Sequence, residues 1–268
     1  MSGAEVFTLH RGTQPLLVSV PHVGTEIPPE LAERLLPRAA HVEDTDWHLE
    51  PLYGFVREMG GSLLVPRYSR YVIDLNRPPE NTPMYPGQNN TELVPTRFFT
   101  GEPLYRAGQA PTDAEVATRV QRYWRPYHDA LAGELERLRA AHGRAVLLDG
   151  HSIASELPWL FDGKLPDLNL GTADGAACAP ALRDALCATL QAQGRFSHVV
   201  DGRFKGGYIT RHYGRPDAGV QAVQMEMCWH CYMDPEPPHF YDETRAAHAQ
   251  ALLRALVQAM LDTPPQPS

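Results

Sequence analysis

Short apolar runs alternate with longer amphipathic stretches along this chain, and that alternation is what most limits the folds open to it. Leu16–Val20 is apolar and β-branched and is stopped by Pro21. Ala145–Leu148 enters Asp149-Gly150-His151-Ser152, and Val220–Met227 is a longer run that holds one acid, Glu226. Runs of this length, bounded by turn residues, read as buried strands. Ser62–Val65, Tyr71–Leu75 and His198–Val200 are strand-like as well. Between them, Thr112–His142 places Val116, Val120, Tyr123, Trp124, Tyr127, Leu131, Leu135 and Leu138 on one stripe at steps of three and four, the period of a helix. Pro126 inside that stripe predicts a kink or a break, and Gly143 a C-terminal cap. Shorter helices are predicted over Pro29–Leu36, Asp44–Met59 and Pro180–Gln193, with a closing amphipathic helix over Glu243–Leu261. Strands alternating with helices predict an α/β fold, a mixed or parallel sheet flanked by helices. The 268 residues fit a single catalytic domain with a frayed tail over 264–268.

In such a fold the chemistry collects where strands end and loops begin. Three places meet that description. His22 follows the strand Leu16–Val20 directly, in Ser19-Val-Pro-His-Val-Gly24, where proline and glycine fix the turn. His151 follows Ala145–Leu148, with Asp149 two residues before it. The third place is His41-Val-Glu-Asp44-Thr-Asp46-Trp-His48, three carboxylates at the start of a helix. Ordinary helix N-terminal chemistry, with Asp44 or Thr45 as cap, accounts for one or two of those acids but does not need all three. Two strand-end histidines and one carboxylate match the ligand set of a catalytic zinc, which keeps a fourth position open for water. His22, Asp46 and His151 are the candidate ligands, with Asp44 and Glu26 the alternatives to Asp46. Zinc is the expected ion, although this donor set also suits cobalt, manganese and iron.

Such a centre needs a carboxylate to take the proton of the attacking water. Glu226 is expensive to bury in its apolar strand unless something pairs with it, which makes it the candidate base. A solvent-facing glutamate on an edge strand is the plainer alternative. A metal-free reading competes: Gly150-His-Ser152-Ile-Ala154 resembles a nucleophile elbow with Ser152 as nucleophile, although Ala154 stands where the pattern wants glycine. The segment Asn76–Gly108 is too long to be a simple connection, and such loops are usually functional or disordered. Cys228-Trp-His-Cys231 resembles half of a zinc knuckle without its second half.

The charge pattern narrows the ligand. Only Lys164 and Lys205 among the 24 basic side chains are lysine, and 32 acids bring the net charge to −8. That balance excludes nucleic acid and membrane surfaces as partners. Yet Arg67, Arg70 and Arg77 cluster in one segment, and Arg203, Lys205 and Arg211 in another beside Gly206-Gly207. Guanidinium groups bind carboxylates in bidentate fashion, so a small dianionic substrate is expected. No apolar run reaches the 18 residues of a membrane span, residues 1–12 show no secretory segment, and four cysteines are too few for a disulfide scaffold. A cytoplasmic protein is the expectation. The sequence carries no signal for an oligomeric state.

Taken together, the motifs resemble the N-formylglutamate deformylase (N-formylglutamate amidohydrolase) family. They are Ser19-Val-Pro-His22-Val-Gly, Asp44-Thr-Asp46-Trp-His, Arg70-Tyr-Val-Ile-Asp-Leu-Asn-Arg77-Pro-Pro, Tyr123-Trp-Arg-Pro-Tyr-His128, Asp149-Gly-His151-Ser, Leu165-Pro-Asp-Leu-Asn-Leu-Gly-Thr172 and Asp201-Gly-Arg-Phe-Lys-Gly-Gly-Tyr-Ile-Thr-Arg211. The resemblance implies a fold similar to the zinc-dependent exopeptidases (phosphorylase/hydrolase-like). It implies hydrolysis of N-formyl-L-glutamate to L-glutamate and formate, a step of histidine degradation. In that reading His22, Asp46 and His151 hold the metal, and Glu226 and Asp149 act in catalysis. Arg77, Arg203, Arg211, Asn76 and Lys205 bind the substrate. Another zinc amidohydrolase, for a different acidic N-acyl amino acid or peptide, is the alternative, as is a Ser152 hydrolase.

Overall fold

The computed structural model describes residues 5–83 and 89–264. The end of the expected tail, 265–268, the first four residues and part of the long loop, 84–88, lie outside the described residues. Seven strands form one mixed sheet in the order β1-β3-β2-β4-β7-β5-β6. They are β1 (Phe7–His10), β2 (Leu16–Ser19), β3 (Ser62–Pro66), β4 (Ala145–Ile153), β5 (Leu168–Gly171), β6 (His198–Val200) and β7 (Val220–Cys228). The central strands β3, β2, β4 and β7 run parallel, β1 and β5 pair antiparallel to β3 and β7, and β6 runs parallel to β5.

Adjacent residues of the central strands go to opposite faces, as the period of two demands. Leu16, Val18, Val146, Leu148, Val223 and Met225 pack in one cluster, roofed by the helices Pro180–Ala192 and Glu243–Asp262. Leu17, Leu64, Leu147 and Ala222 pack in another, against Tyr123, Tyr127 and Leu131. Both faces are therefore buried, which is why these strands read as continuous apolar runs rather than alternating ones.

The long stripe is helical from Asp113 to His142, opened by a Thr112–Glu115 capping box and closed at Gly143 with φ 72°. Pro126 does not break it. A π turn over Val120–Trp124 widens the helix just ahead of the proline, with Arg125 N–H donating to Val120 O. The wider turn accommodates a residue that has no N–H and whose ring crowds the preceding turn. Two expectations fail. Asp44–Met59 is not one helix but two single turns, Leu49–Leu52 and Phe55–Glu58, because Pro51 fits only a first turn and Gly54 separates the two. Tyr71–Leu75 is not a strand. Its apolar members are buried in a turn, where Val72 N–H donates to Ser69 O and Asp74 N–H to Leu93 O.

Candidate active site

The carboxyl ends of β2, β4 and β7 open into one pocket lined by His22, Asp46, His151, Glu226, Arg70, Asn76, Arg77 and Arg203. β4 and β7 pair in register with His151 beside Glu226, so the strand pairing itself brings imidazole and acid together. β7 lies between β4 and β5 and Glu226 is buried, which removes the reading of a solvent-facing edge glutamate. Gly207 N–H donates to Gln224 Oε1 two residues before Glu226 on the same strand.

His22, Asp46 and His151 converge with their ligand atoms within 4.8 Å of one another. His151 Nδ1 lies 3.1 Å from Asp46 Oδ2 and 3.2 Å from His22 Nδ1, and His22 Nδ1 lies 3.6 Å from Asp46 Oδ2. The far nitrogens are occupied. His22 Nε2 meets Asp74 Oδ1 at 2.7 Å, and His151 Nε2 meets Asp149 Oδ2 at 2.9 Å. Each imidazole is thus backed by its own buried carboxylate, the arrangement that fixes ring orientation and tautomer behind a metal ligand. Arg70 donates to Asp74 Oδ2 at 2.7 Å and lies 3.7 Å from Asp46 Oδ1, with its guanidinium stacked on Phe99. Asp46 is further held by the Ser152 N–H, and its own N–H donates to His22 O.

The charges answer one another. Burial would raise the Asp46 carboxyl, but hydrogen bonds from His151 and His22 hold it well below the usual range. Asp74 is held low against the same burial by His22 and Arg70. Burial disfavours a charged His151, yet Asp149 and Asp46 pull it well above the ordinary imidazole range. For Glu226 burial wins and pushes the carboxyl up to about 8, with Asp46 and Asp149 adding to the rise and His151 opposing it.

Asn76 ties the pocket to the rest of the fold. Its Nδ2 lies 3.0 Å from Asp149 Oδ2 and 2.9 Å from His151 Nε2, and its Oδ1 accepts from Ile209 N–H. The π-containing helix clamps it on both sides: His128 bonds Leu75 O through Nε2, and Trp124 Nε1–H donates to Arg77 O. The two rings stack with centroids 3.7 Å apart. Gly207 is required here for close approach, since a Cβ would sit 2.4 Å from the Asn76 amide. The space beside Gly207 is filled by the Asn76 side chain.

The structure brings His22, Asp46, His151, Glu226, Asn76, Arg77 and Arg203 together, with Ser152 on the pocket wall, and leaves other candidates outside. Lys205 is half-buried and paired with Asp174. Arg211 donates to Gly206 O and lines a separate groove with Arg215. Glu26 is exposed and pairs with Arg67. The Asp44 carboxylate is spent on Tyr71 O–H and Phe99 N–H. Asp149 stands behind His151 rather than facing the pocket. Ser152 lies within β4 instead of on a strand-to-helix elbow, and its Oγ accepts from Tyr232 O–H. Sequence reasoning missed Asp74, Trp124 and His128, and did not carry Arg70 into the site; Arg70 and Asp74, four residues apart with opposite charge, were the available signal.

Comparison with known proteins identifies the family. The profile of the N-formylglutamate amidohydrolase family matches residues 14–233. The N-formylglutamate deformylases of Pseudomonas putida and Pseudomonas aeruginosa are 46% and 48% identical over 257 residues, 96% of this chain and 96% of each of theirs. The crystal structure of N-formylglutamate amidohydrolase from Ralstonia eutropha JMP134 superimposes with a TM-score of 0.79 at 28% identity, covering 95% of this chain and 97% of the other. An Agrobacterium tumefaciens protein shares the fold with a TM-score of 0.73 at 18% identity, covering 97% and 96%. The chain is a hydrolase acting on an amide bond and belongs to the N-formylglutamate amidohydrolase family.

Proposed function

We propose that this protein hydrolyses N-formyl-L-glutamate to L-glutamate and formate with a divalent metal, zinc for preference. It would do so as a single catalytic domain in the cytoplasm, in histidine degradation. The observation that carries the metal is the convergence of His22 Nδ1, Asp46 Oδ2 and His151 Nδ1 on one point, each histidine braced from behind. The donor set fits: three protein ligands with a fourth direction open to the pocket. Four buried carboxylates, Asp46, Asp74, Asp149 and Glu226, surround two imidazoles and Arg70. A divalent cation would balance that excess of negative charge.

A metal held there would supply Lewis acidity and lower the pKa of a bound water toward about 7. Glu226, beside His151, takes the proton of the attacking water and returns it to the leaving amine nitrogen. Its raised pKa suits the second half of that task, because a carboxyl that holds its proton near neutrality can deliver it. Arg70, which lines the same pocket, would add positive charge near the oxyanion that develops on the formyl oxygen. Arg77 and Arg203 line the pocket and bind the substrate carboxylates, while Asn76 orients His151. Asp149 is a positioning residue. The relatives' names supply the substrate, and the guanidinium groups supply its chemical rationale.

The test is release of the free amino acid from N-formylglutamate, N-acetylglutamate and N-acetylaspartate with and without chelator. Turnover of the formyl substrate alone, lost on chelation and restored by zinc, is expected. Activity that survives chelation but not Ser152→Ala would overturn the metal. Preference for an acetylated substrate would overturn the specificity.

A further inference from the structure

β7 ends at Cys228, and the 3-10 turn Trp229–Cys231 that follows gathers a second set of donor atoms outside the pocket. His230 Nε2 lies 2.7 Å from Asp167 Oδ1. Cys231 Sγ completes a group whose ligand atoms all lie within 4.8 Å of one another. Cys228 aims at the same segment: its thiol donates to Pro166 O at 3.4 Å, while that of Cys231 donates to Asp167 O at 3.7 Å. Asp167 is anchored independently, for its Oδ2 accepts Ser197 N–H and O–H at 2.8 and 2.9 Å. Oδ1 is thereby held toward His230 and the thiol.

We propose that Asp167, His230 and Cys231 form a second metal site, for a soft divalent ion of the zinc type, with Cys228 as an adjoining thiol. Sulfur and imidazole together select zinc-like ions over magnesium and calcium. The two Ser197 hydrogen bonds provide the fixed ligand orientation that metal sites draw from their outer partners. A plain His230–Asp167 ion pair at this half-exposed position would be worth little and would need no thiol beside it. Cys231 is buried while His230 and Asp167 are half-exposed, so the ion has an entry path. Burial pushes the Cys228 thiol up to about 12 and raises Cys231 as well. Ion entry therefore breaks the Cys231 S–H bond, forms a sulfur–metal bond and releases one proton to solvent. The bound ion would brace one wall of the pocket. Tyr232, next to Cys231, holds Ser152 Oγ, and Asn169 of β5 lies opposite Glu226 in register.

The test uses the full chain, stripped of metal and titrated with Cd2+, whose thiolate complex has its own ultraviolet band. The wild type is expected to bind two equivalents and show the band. Cys231→Ser and His230→Ala should each bind one, lose the band and keep formate release. His151→Ala should bind one, keep the band and lose turnover. The proposal is overturned if the wild type shows no thiolate band, or if the band persists in both Cys231→Ser and His230→Ala. A wild type that binds a single ion, lost with its band in Cys231→Ser but retained in His151→Ala, would support this site and sink the catalytic metal instead.

Discussion

Among the described residues, two clusters of histidine and acid differ in what stands behind the imidazoles. At the pocket, His22 and His151 spend their Nε2 atoms on Asp74 and Asp149, so both Nδ1 atoms already face Asp46. At the Cys231 turn, His230 presents to Asp167 the same Nε2 that a metal would take. The first cluster is preorganised, whereas in the second an ion must part a hydrogen bond and displace a thiol proton. Ligand type alone makes the two look alike. The groups behind the ligands set how much of the binding work is done before the ion arrives.

The comparison breaks most sharply at the pocket. His151→Ala removes a ligand and leaves Asp149 and Asp46 without their shared partner. Formate release should fall to background and the pocket's ion should be lost, leaving one bound ion per chain by metal analysis of the purified variant. If turnover survives, the pocket cluster is not the catalytic centre. Glu226→Gln separates binding from chemistry. Metal content should hold while kcat falls by about 10²–10⁴, the usual worth of a positioned acid–base group. Turnover that persists would move the base to another carboxylate.

Asp74→Asn tests the backing itself. The amide keeps the volume and loses the charge that orients His22 and pairs Arg70. A loss of roughly 10–100-fold in metal affinity or activity is expected, as for other outer partners of ligating histidines. Because the defect lies in affinity, part of the lost activity should return at high zinc. An unchanged zinc titration would show that His22 needs no orienting carboxylate.

How far the sequence reveals these parts follows from the same contrast. His22, His151 and Glu226 were legible because each sits on or just past an apolar run, where strand ends gather in an α/β sheet. Asp46 was legible within its acidic group, although sequence alone left Asp44 and Glu26 beside it. Asp74 was hidden because Tyr71–Leu75 imitates a strand. Its apolar side chains are buried as a strand's would be, but its one charged member, Asp74, turns to the site. β5, inside Leu165–Thr172, is too short for periodicity to register. Arg211 and Lys205 were grouped with Arg203 by proximity in sequence, and helix and loop geometry then carried them elsewhere.

The helix behind the pocket gives smaller effects. Trp124→Phe keeps the ring stacked on His128 and deletes the indole N–H that holds Arg77 O. Loss of one such bond is worth about 1 kcal/mol. Because Arg77 serves binding rather than chemistry, KM should rise roughly fivefold with kcat little changed. A fall in kcat alone would mean the clamp acts on His151 through Asn76 instead.

The other half of that clamp is felt in stability against pH rather than in turnover. Burial lowers the His128 imidazole to about 3, against the opposing pull of Leu75 O, so it stays neutral in the folded protein. The unfolded chain takes up a proton near the ordinary value of 6.5. Above that value His128 adds no pH dependence. As pH falls from 6.5 toward 3 the unfolded state binds the extra proton first, and stability declines. The loss is on the order of 1 kcal/mol at pH 6 and steepens to about 1.4 kcal/mol per unit below. His128→Gln, whose amide can still donate to Leu75 O, lacks that titration. Its melting temperature should therefore fall less than that of the wild type between pH 6.5 and 4.5. Parallel curves would mean that His128 is protonated in the fold, and that its bond to Leu75 O comes from a charged ring.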